Sequence, residues 1–481
     1  MSGNKPTDFN DQLILDGRDS LHTNIMQDLG SHADKQTQST AAAQPDGRDI
    51  PQIEEIPLPD EMPPEFEDVD NDEWREMFER TRDRGLKASV KNITLILQYD
   101  ERWKDVIAYC DFSYRILKLS KPPMPHCDAG EWDDSDTAAL RVWTSHQYRF
   151  TPSHADIADA LVVVGRSRRF HPVQDYLNSV DWDGEHRLKT WMLDALGATD
   201  DERYLEVVGT CFMIGAVARV MKPGCKMDNV MILEGPQGKG KSTIVEALFG
   251  EWFSDAQLPI GDKDAYQVIQ GVWGFELAEL DSFNKSETTT LKQFFSQRID
   301  RFRPSYGRHA VNFPRQTVFM GTTNQDAYLR DYTGNRRFWP SYCSKLNLQW
   351  VKDNRDQLWA EAAQLFKADV QWWVSEDDLG VVIDAQDARL QRDPWEDKLR
   401  TWLSGMTEPH ISSATLLEDC LGIDGAHMQQ MHMNRLAPIM KSLGWETKRI
   451  RITDPFNAKK KIQVRVWFSP DVVDNYDEVP L

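Results

Sequence analysis

Cysteine is scarce in this chain and scattered. Cys110, Cys127, Cys211, Cys225, Cys343 and Cys420 are spread over 481 residues. No two stand at the spacing of a zinc knuckle, and six thiols so far apart make no disulfide framework. They read as reduced, mostly buried small apolar side chains of a cytoplasmic protein. A long apolar run is lacking too. The longest, residues 207–218, lies between Glu206 and Arg219 and falls short of the ~20 residues a bilayer crossing needs. It reads as a buried helix, so no membrane role is expected. The opening MSGNKPTDFN has no apolar core and does not read as a signal peptide. Basic charge is also in deficit: 56 Lys and Arg stand against 77 Asp and Glu, a net charge of −21. This excludes a protein that binds polyanions through its overall charge. Any nucleic-acid site must be a local basic patch in an acidic body, whose remaining charge steers polyanions toward it.

With 40% apolar and 28% charged residues, the bulk of the chain can fold into roughly three domains. Residues 1–86 differ from the rest. Residues 50–74, IPQIEEIPLPDEMPPEFEDVDNDEW, contain no basic residue. Such a stretch cannot bury enough apolar surface to offset its conformational entropy, so 1–86 reads as a disordered acidic tail. Its interspersed Ile, Leu, Met, Phe and Trp also suit a docking peptide. Residues 87–198 show apolar spacing of three and four and read as a helical domain. Residues 199–345 read as an α/β nucleotide core, 346–392 as a helical connector and 393–481 as a small separate unit. In that unit, helices over 412–421 and 433–443 precede two alternating strands, ETKRIRI and KIQVRVWF. Helices followed by a basic hairpin give the order of a winged helix.

The chemistry concentrates in LEGPQGKGKST. Gly235, Pro236, Gln237, Gly238, Lys239, Gly240, Lys241, Ser242 and Thr243 follow a short apolar strand and precede a helical stretch. This is the GxxxxGK[ST] loop in the context it requires. Glycines let successive backbone N–H groups turn toward one centre, and the helix start adds unpaired donors and partial positive charge. Lys241 is placed to reach the β- and γ-phosphates of ATP, and Ser242 to bind Mg²⁺. A second strand is expected in VWGFELAELDSF. Glu279 sits at its apparent end and is the candidate for holding the metal and activating water. Asp281 and Glu276 are the alternatives, and Glu276 is unusual in lying inside the apolar run. TVFMGTTN is a third strand, ending at Asn324, which suits contact with the γ-phosphate or the attacking water. TGNRRFWP supplies Arg336 and Arg337, whose planar guanidinium forks suit phosphate oxygens. One of them, offered to a neighbouring subunit, would be an arginine finger.

The basic exception is SQRIDRFRPSYGRHAVNFPRQ. Arg298, Arg301, Arg303, Arg308, His309 and Arg315 face one acid, Asp300, with Phe302, Tyr306 and Phe313 between them. Cations on phosphates and rings on bases suit single strands. Arg303, Tyr306, Arg308, His309 and Arg315 are the candidate DNA contacts. A second basic set, Lys448, Arg449, Arg451, Lys459, Lys460, Lys461 and Arg465, lies on the C-terminal hairpin.

The ordered set DWDG, VARVMKPGCKMDN, LEGPQGKGKST, FELAELD, RPSYGRH, GTTN and GNRRFWP resembles the virulence-associated E proteins. These are phage and mobile-element relatives of the superfamily 3 helicases. The resemblance spans residues 163–342. It implies a modified AAA+ ATPase core of P-loop type, flanked by the helical and winged-helix-like units. It further implies a ring, expected to be a homo-hexamer, translocating 3′ to 5′ on single-stranded or forked DNA during mobile-element replication. Some family members carry a primase on the same chain; the polar residues 1–86 are too few for one. A separate primase or host replication protein, reached through the acidic tail, is the expected partner. The competing readings are an ATP-dependent initiator or loader without sustained unwinding, and a small-molecule phosphotransferase.

Overall fold

The chain is seen in a computed structural model that describes residues 73–279, 285–303, 309–329, 335–454 and 457–470, with side chains omitted at 285–288 and 451–462. The acidic stretch through residue 72 lies outside the described residues. Residues 73–86, which sequence assigns to the tail, are anchored to the fold by the buried rings of Trp74 and Phe78. The turn Glu73–Met77 buries Trp74, whose ring meets Phe78 and Tyr99, while Phe78 meets Tyr148. Two rings four residues apart find apolar partners that acidic composition hides.

The following part holds helices Val90–Tyr99, Asp134–Tyr148, His154–Ser167, Pro172–Ser179 and Trp191–Leu196. Their starts are set locally. Asp133 and Ser153 form capping boxes, and His171 caps a helix with Pro172 in its first turn. This part is not purely helical. Strands β1 (Ile107–Cys110), β2 (Arg115–Lys118), β3 (Gly130–Glu131) and β4 (Arg169–Phe170) form a sheet in the order β3-β2-β1-β4. Strands of two to four residues are too short to show a period, and these escape the sequence for that reason.

Helix Glu202–Met221 contains the longest apolar run. Of its 20 residues, those from Val207 to Val220 are buried except Thr210. Among the described residues it is the one helix long and apolar enough to cross a membrane. Here it is the spine of the protein, apolar on all sides because it is covered on all sides. A continuous core joins Cys110, Phe112 and Leu177 to Met213, Met231, Trp273 and Trp359.

Beside it lies a mixed α/β layer. Strands β5 (Val230–Glu234), β6 (Phe253–Ser254) and β7 (Gly274–Leu277) are followed by the antiparallel hairpin of β8 (Ile299–Phe302) and β9 (Val311–Pro314). Strands β10 (Val318–Thr323) and β11 (Phe338–Tyr342) complete it. Five strands form one parallel sheet in the order β11-β5-β10-β7-β6. Strands β5, β7 and β10 are buried throughout, as uninterrupted apolar runs in a covered parallel sheet require. Their carboxyl ends are neighbours, and open parallel sheets take ligands there.

Helices Leu348–Lys367 and Leu379–Asp387 connect to the C-terminal unit. That unit holds helix Pro394–Ser404, β12 (His410–Ser412), the helical segments Ser413–Thr415 and Leu416–Cys420, and helix Gln430–Ser442. Strands β13 (Glu446–Asp454) and β14 (Asn457–Phe468) follow. Its sheet order is β12-β14-β13, and Leu399, Leu416, Leu436, Ile439 and Trp467 form its own core. The first helix and β12 were not read from sequence.

Candidate functional site

The loop after β5 is built by its glycines. Gly235, Gly238 and Gly240 have φ of +138°, +75° and +92°, which L side chains rarely adopt. A Cβ at Gly235 would also sit 2.9 Å from the Cys343 carbonyl oxygen. The loop runs straight into helix Lys241–Phe249, so the unpaired N–H groups of the first turn open onto it. Lys241 is buried, and its Nζ donates to the carbonyls of Gly235 at 2.6 Å and Pro236 at 3.0 Å. Burial draws its ammonium below the usual lysine range.

Ser242 points across the sheet. Its Oγ donates to Glu276 Oε1 at 2.7 Å, and Thr322 Oγ1 donates to the same oxygen at 2.8 Å. Glu276 lies in β7 and is 2% exposed, and its Oε2 is buried without a hydrogen-bond partner. One carboxylate therefore joins β5's loop, β7 and β10. A single cleft of about 420 Å³ results. Gln237 to Thr243 line one side, Ala278 and Glu279 a second, and Thr322, Thr323 and Asn324 the third. Glu279 stands exposed just beyond β7 with φ of +52°.

Lys241, Ser242, Glu279 and Asn324, far apart in sequence, are thus brought to one place. Glu276, only an alternative from sequence, is the acid bonded to Ser242. Its signal was an ionisable residue inside an apolar run. Asp281 lies outside the described residues. The donor set suits a polyphosphate carrying a divalent cation. Backbone N–H groups and an ammonium would meet the anion, while a hydroxyl and a buried carboxylate oxygen left without a donor would meet the cation.

The tandem arginines do not line this cleft. Arg337 is half-buried and held inside its own chain, with Nε 2.9 Å from Ser296 Oγ and 3.6 Å from Asp228 Oδ2. Arg336 is exposed and lines a different cleft of about 440 Å³, between the connector helix and the C-terminal unit.

The basic hairpin divides in two. Arg303 and His309 are exposed on either side of its tip, while Tyr306 and Arg308 lie outside the described residues. Arg315 is a correction. It is 1% exposed and paired with Asp300, it donates to the Phe294 carbonyl and Gln297, and its guanidinium lies 4.2 Å from the Phe294 ring centroid. A cation so enclosed is not available to DNA. Phe302 and Phe313 are likewise buried against each other, 4.8 Å between ring centroids, and cannot stack on bases. Strand register places Asp300 beside Phe313, within reach of Arg315, which linear reading cannot supply.

Sequence reasoning missed Arg389 altogether, because it belongs to no motif. Arg389 Nε and Nη2 donate to both oxygens of Glu234, the last residue of β5, and Nη2 also to Asp200. Tyr328 Oη donates to Glu234 at 2.8 Å, and the Tyr328 and Leu329 N–H groups donate to the Arg389 carbonyl. The glycine loop thus starts from a strand end clamped by a residue 155 positions away.

Residues 177–391 match the model of the virulence-associated protein E-like domain. The match begins later than 163 and runs past 342, taking in the connector helix and Arg389 as well as the cleft. No curated protein matches the chain. Among solved structures it is similar to the apo C-terminal region of NrS-1 at 13% identity. Three structures of that region cover 76% of this chain and 95%, 96% and 96% of their own, with TM-scores of 0.37, 0.40 and 0.42.

Proposed function

We propose that the chain hydrolyses Mg²⁺-ATP and uses the hydrolysis to move along single-stranded DNA, as a ring-forming helicase or translocase of phage or mobile-element replication. The observation that carries this reading is Glu276, the buried carboxylate on which Ser242 of the glycine loop and Thr322 of the strand before Asn324 converge. The strand order β11-β5-β10-β7-β6 fits a P-loop core of the AAA+ kind, with the glycine loop on a central strand.

In this reading the loop N–H groups and Lys241 receive the phosphates, Lys241 exchanging the carbonyls of Gly235 and Pro236 for phosphate oxygens. Ser242 and Glu276 would hold Mg²⁺, which would supply charge neutralisation at the phosphates. Glu279 orients a water for in-line attack on the γ-phosphorus and takes its proton as the bond to the β-phosphate oxygen breaks. Asn324 holds the γ-phosphate from the opposite wall. Arg336, exposed and outside the lining of its own glycine-loop cleft, serves the cleft of a neighbour in a homo-hexamer. Arg303 and His309, with Tyr306 and Arg308, meet the single strand.

The test is ATP turnover by the purified chain with Mg²⁺, with and without single-stranded DNA, followed by displacement on a forked duplex. Failure to hydrolyse ATP under all of these conditions sinks the reading. DNA-stimulated turnover without displacement supports an initiator or loader instead. The C-terminal order helix, strand, helix, helix, hairpin gives that alternative its footing, because it is the order of a duplex-binding winged helix.

A further inference from the structure

None of the roles above uses loop 222–229, KPGCKMDN, yet it touches both the basic hairpin and the tandem arginines. At one end, Gly224 N–H donates to the Arg315 carbonyl at 3.0 Å, and Arg298 Nε donates to the Gly224 carbonyl at 2.8 Å. Gly224 has φ of +79°, and a Cβ there would lie 3.2 Å from the Arg298 carbonyl oxygen. The loop is therefore tied to the base of β8 and β9 by one backbone and one side-chain hydrogen bond. At the other end, Asn229 Nδ2 donates to the Arg336 carbonyl at 3.3 Å, and Asp228 faces Arg337 at 3.6 Å.

Between those ends the loop is fixed from beneath. Arg219, 1% exposed on the spine helix, donates to the Met227 carbonyl. Its Nε and Nη1 are buried without partners, so this cation stays inside only because the surrounding packing holds it. Met227 fills the space left by Gly215, where a Cβ would come within 2.6 Å of its sulfur. Cys225 is buried, and Trp372 Nε1 donates to the Lys226 carbonyl at 2.9 Å. A loop pinned at so many points moves as a body.

We infer that loop 222–229 is a strut linking the DNA-facing hairpin to the turn Asn335–Arg337, with Asp228 a positioning residue that aims Arg336 by holding Arg337 and the backbone beside it. The strut makes DNA at the hairpin and phosphate at the neighbour's cleft sense the same displacement. Spatial continuity alone does not establish coupling, so the test must read both ends. This inference rests on the proposed ATPase, but it has a readout that does not.

Hydrogen exchange on the full chain compares wild type with Arg298→Ala, Asp228→Asn and Asp228→Glu. Breaking the hairpin end with Arg298→Ala is expected to speed exchange of amides at 335–342 by at least about fivefold, with β5 unchanged. Asp228→Asn does the same and speeds the base of the hairpin; Asp228→Glu restores protection. ATP turnover is measured on the same proteins. The ratio with and without single-stranded DNA falls toward one in Arg298→Ala and Asp228→Asn, and returns in Asp228→Glu. If faster exchange in Arg298→Ala stays confined to 296–316, the strut is wrong. If exchange spreads as expected while wild type shows no stimulation by DNA, the strut stands and the proposed function fails.

Discussion

Replacing Arg315 with alanine separates a structural cation from a DNA contact. The guanidinium is 0% exposed at its side chain and Asp300 is 5% exposed. Alanine removes the charge, its bonds to the Phe294 carbonyl and Gln297, and its packing on the Phe294 ring, and it leaves the Asp300 carboxylate buried alone. Removing one member of a buried pair costs about 3–5 kcal/mol. With an unfolding entropy of about 2.1 cal/mol/K per residue over the roughly 320 residues that share this core, each kcal/mol is worth about 1.5 °C, and the unfolding temperature should fall by about 4–8 °C. Differential scanning calorimetry measures this. Arg315→Met with Asp300→Leu, which removes both charges, should recover most of the loss. A DNA-contacting arginine behaves otherwise: its loss leaves stability alone and lowers the salt slope of DNA binding by about 1. An Arg315→Ala protein that melts with wild type but binds single-stranded DNA with a shallower slope would refute the burial reasoning.

The carboxylates at the cleft should separate. Glu276→Gln, which leaves Ser242 without its anion, is expected to lower turnover by about 10–100-fold and to weaken Mg²⁺ dependence. Glu279→Gln should lower it by about 10²–10⁴-fold with ATP binding intact, read by equilibrium nucleotide binding. Lys241→Ala and Arg336→Ala should each be inactive alone, while a mixture of the two regains partial turnover. The mixture contains interfaces with an intact Lys241 facing an intact Arg336, and a finger is worth about 10³–10⁵; no recovery at any mixing ratio rules out Arg336 in that role. Glu234 predicts a pH effect. Burial raises its carboxyl above the ordinary 4.5, Arg389 and Tyr328 opposing. The folded state therefore keeps this proton to higher pH than the unfolded state does. Its contribution is whole below about 4.5 and is lost as pH rises through the folded value. Urea midpoints of Glu234→Gln and wild type should diverge in the mutant's favour as pH climbs through that window; a constant gap argues against it.

Much of the cleft was legible because its chemistry demands particular residue types. Only glycines turn as the loop does, and a lysine and a serine must follow, so Gly235 to Ser242 declare themselves. Asn324 was legible from its order after the acidic strand. What lay hidden depended on burial and register. Glu276 and Glu279 look alike in sequence, and only packing puts one on Ser242 and leaves the other at the rim. Arg315 and Arg303 look alike too, until the hairpin register hands Asp300 to the first. Strands β1 and β2 were lost because four residues carry no period. Arg389 was lost because an ion pair spanning most of the domain leaves no local trace.

The spine helix Glu202–Met221 has a further consequence. Because Cys110, Phe112 and Leu177 share its core with Met231 and Trp273, the layer built from residues 73–199 is no detachable appendage. Severing it would leave the apolar flank of the helix facing water. Any exchange of segments between related chains must carry this layer together with the glycine-loop cleft, whereas the C-terminal unit, with a core of its own, is free to be traded.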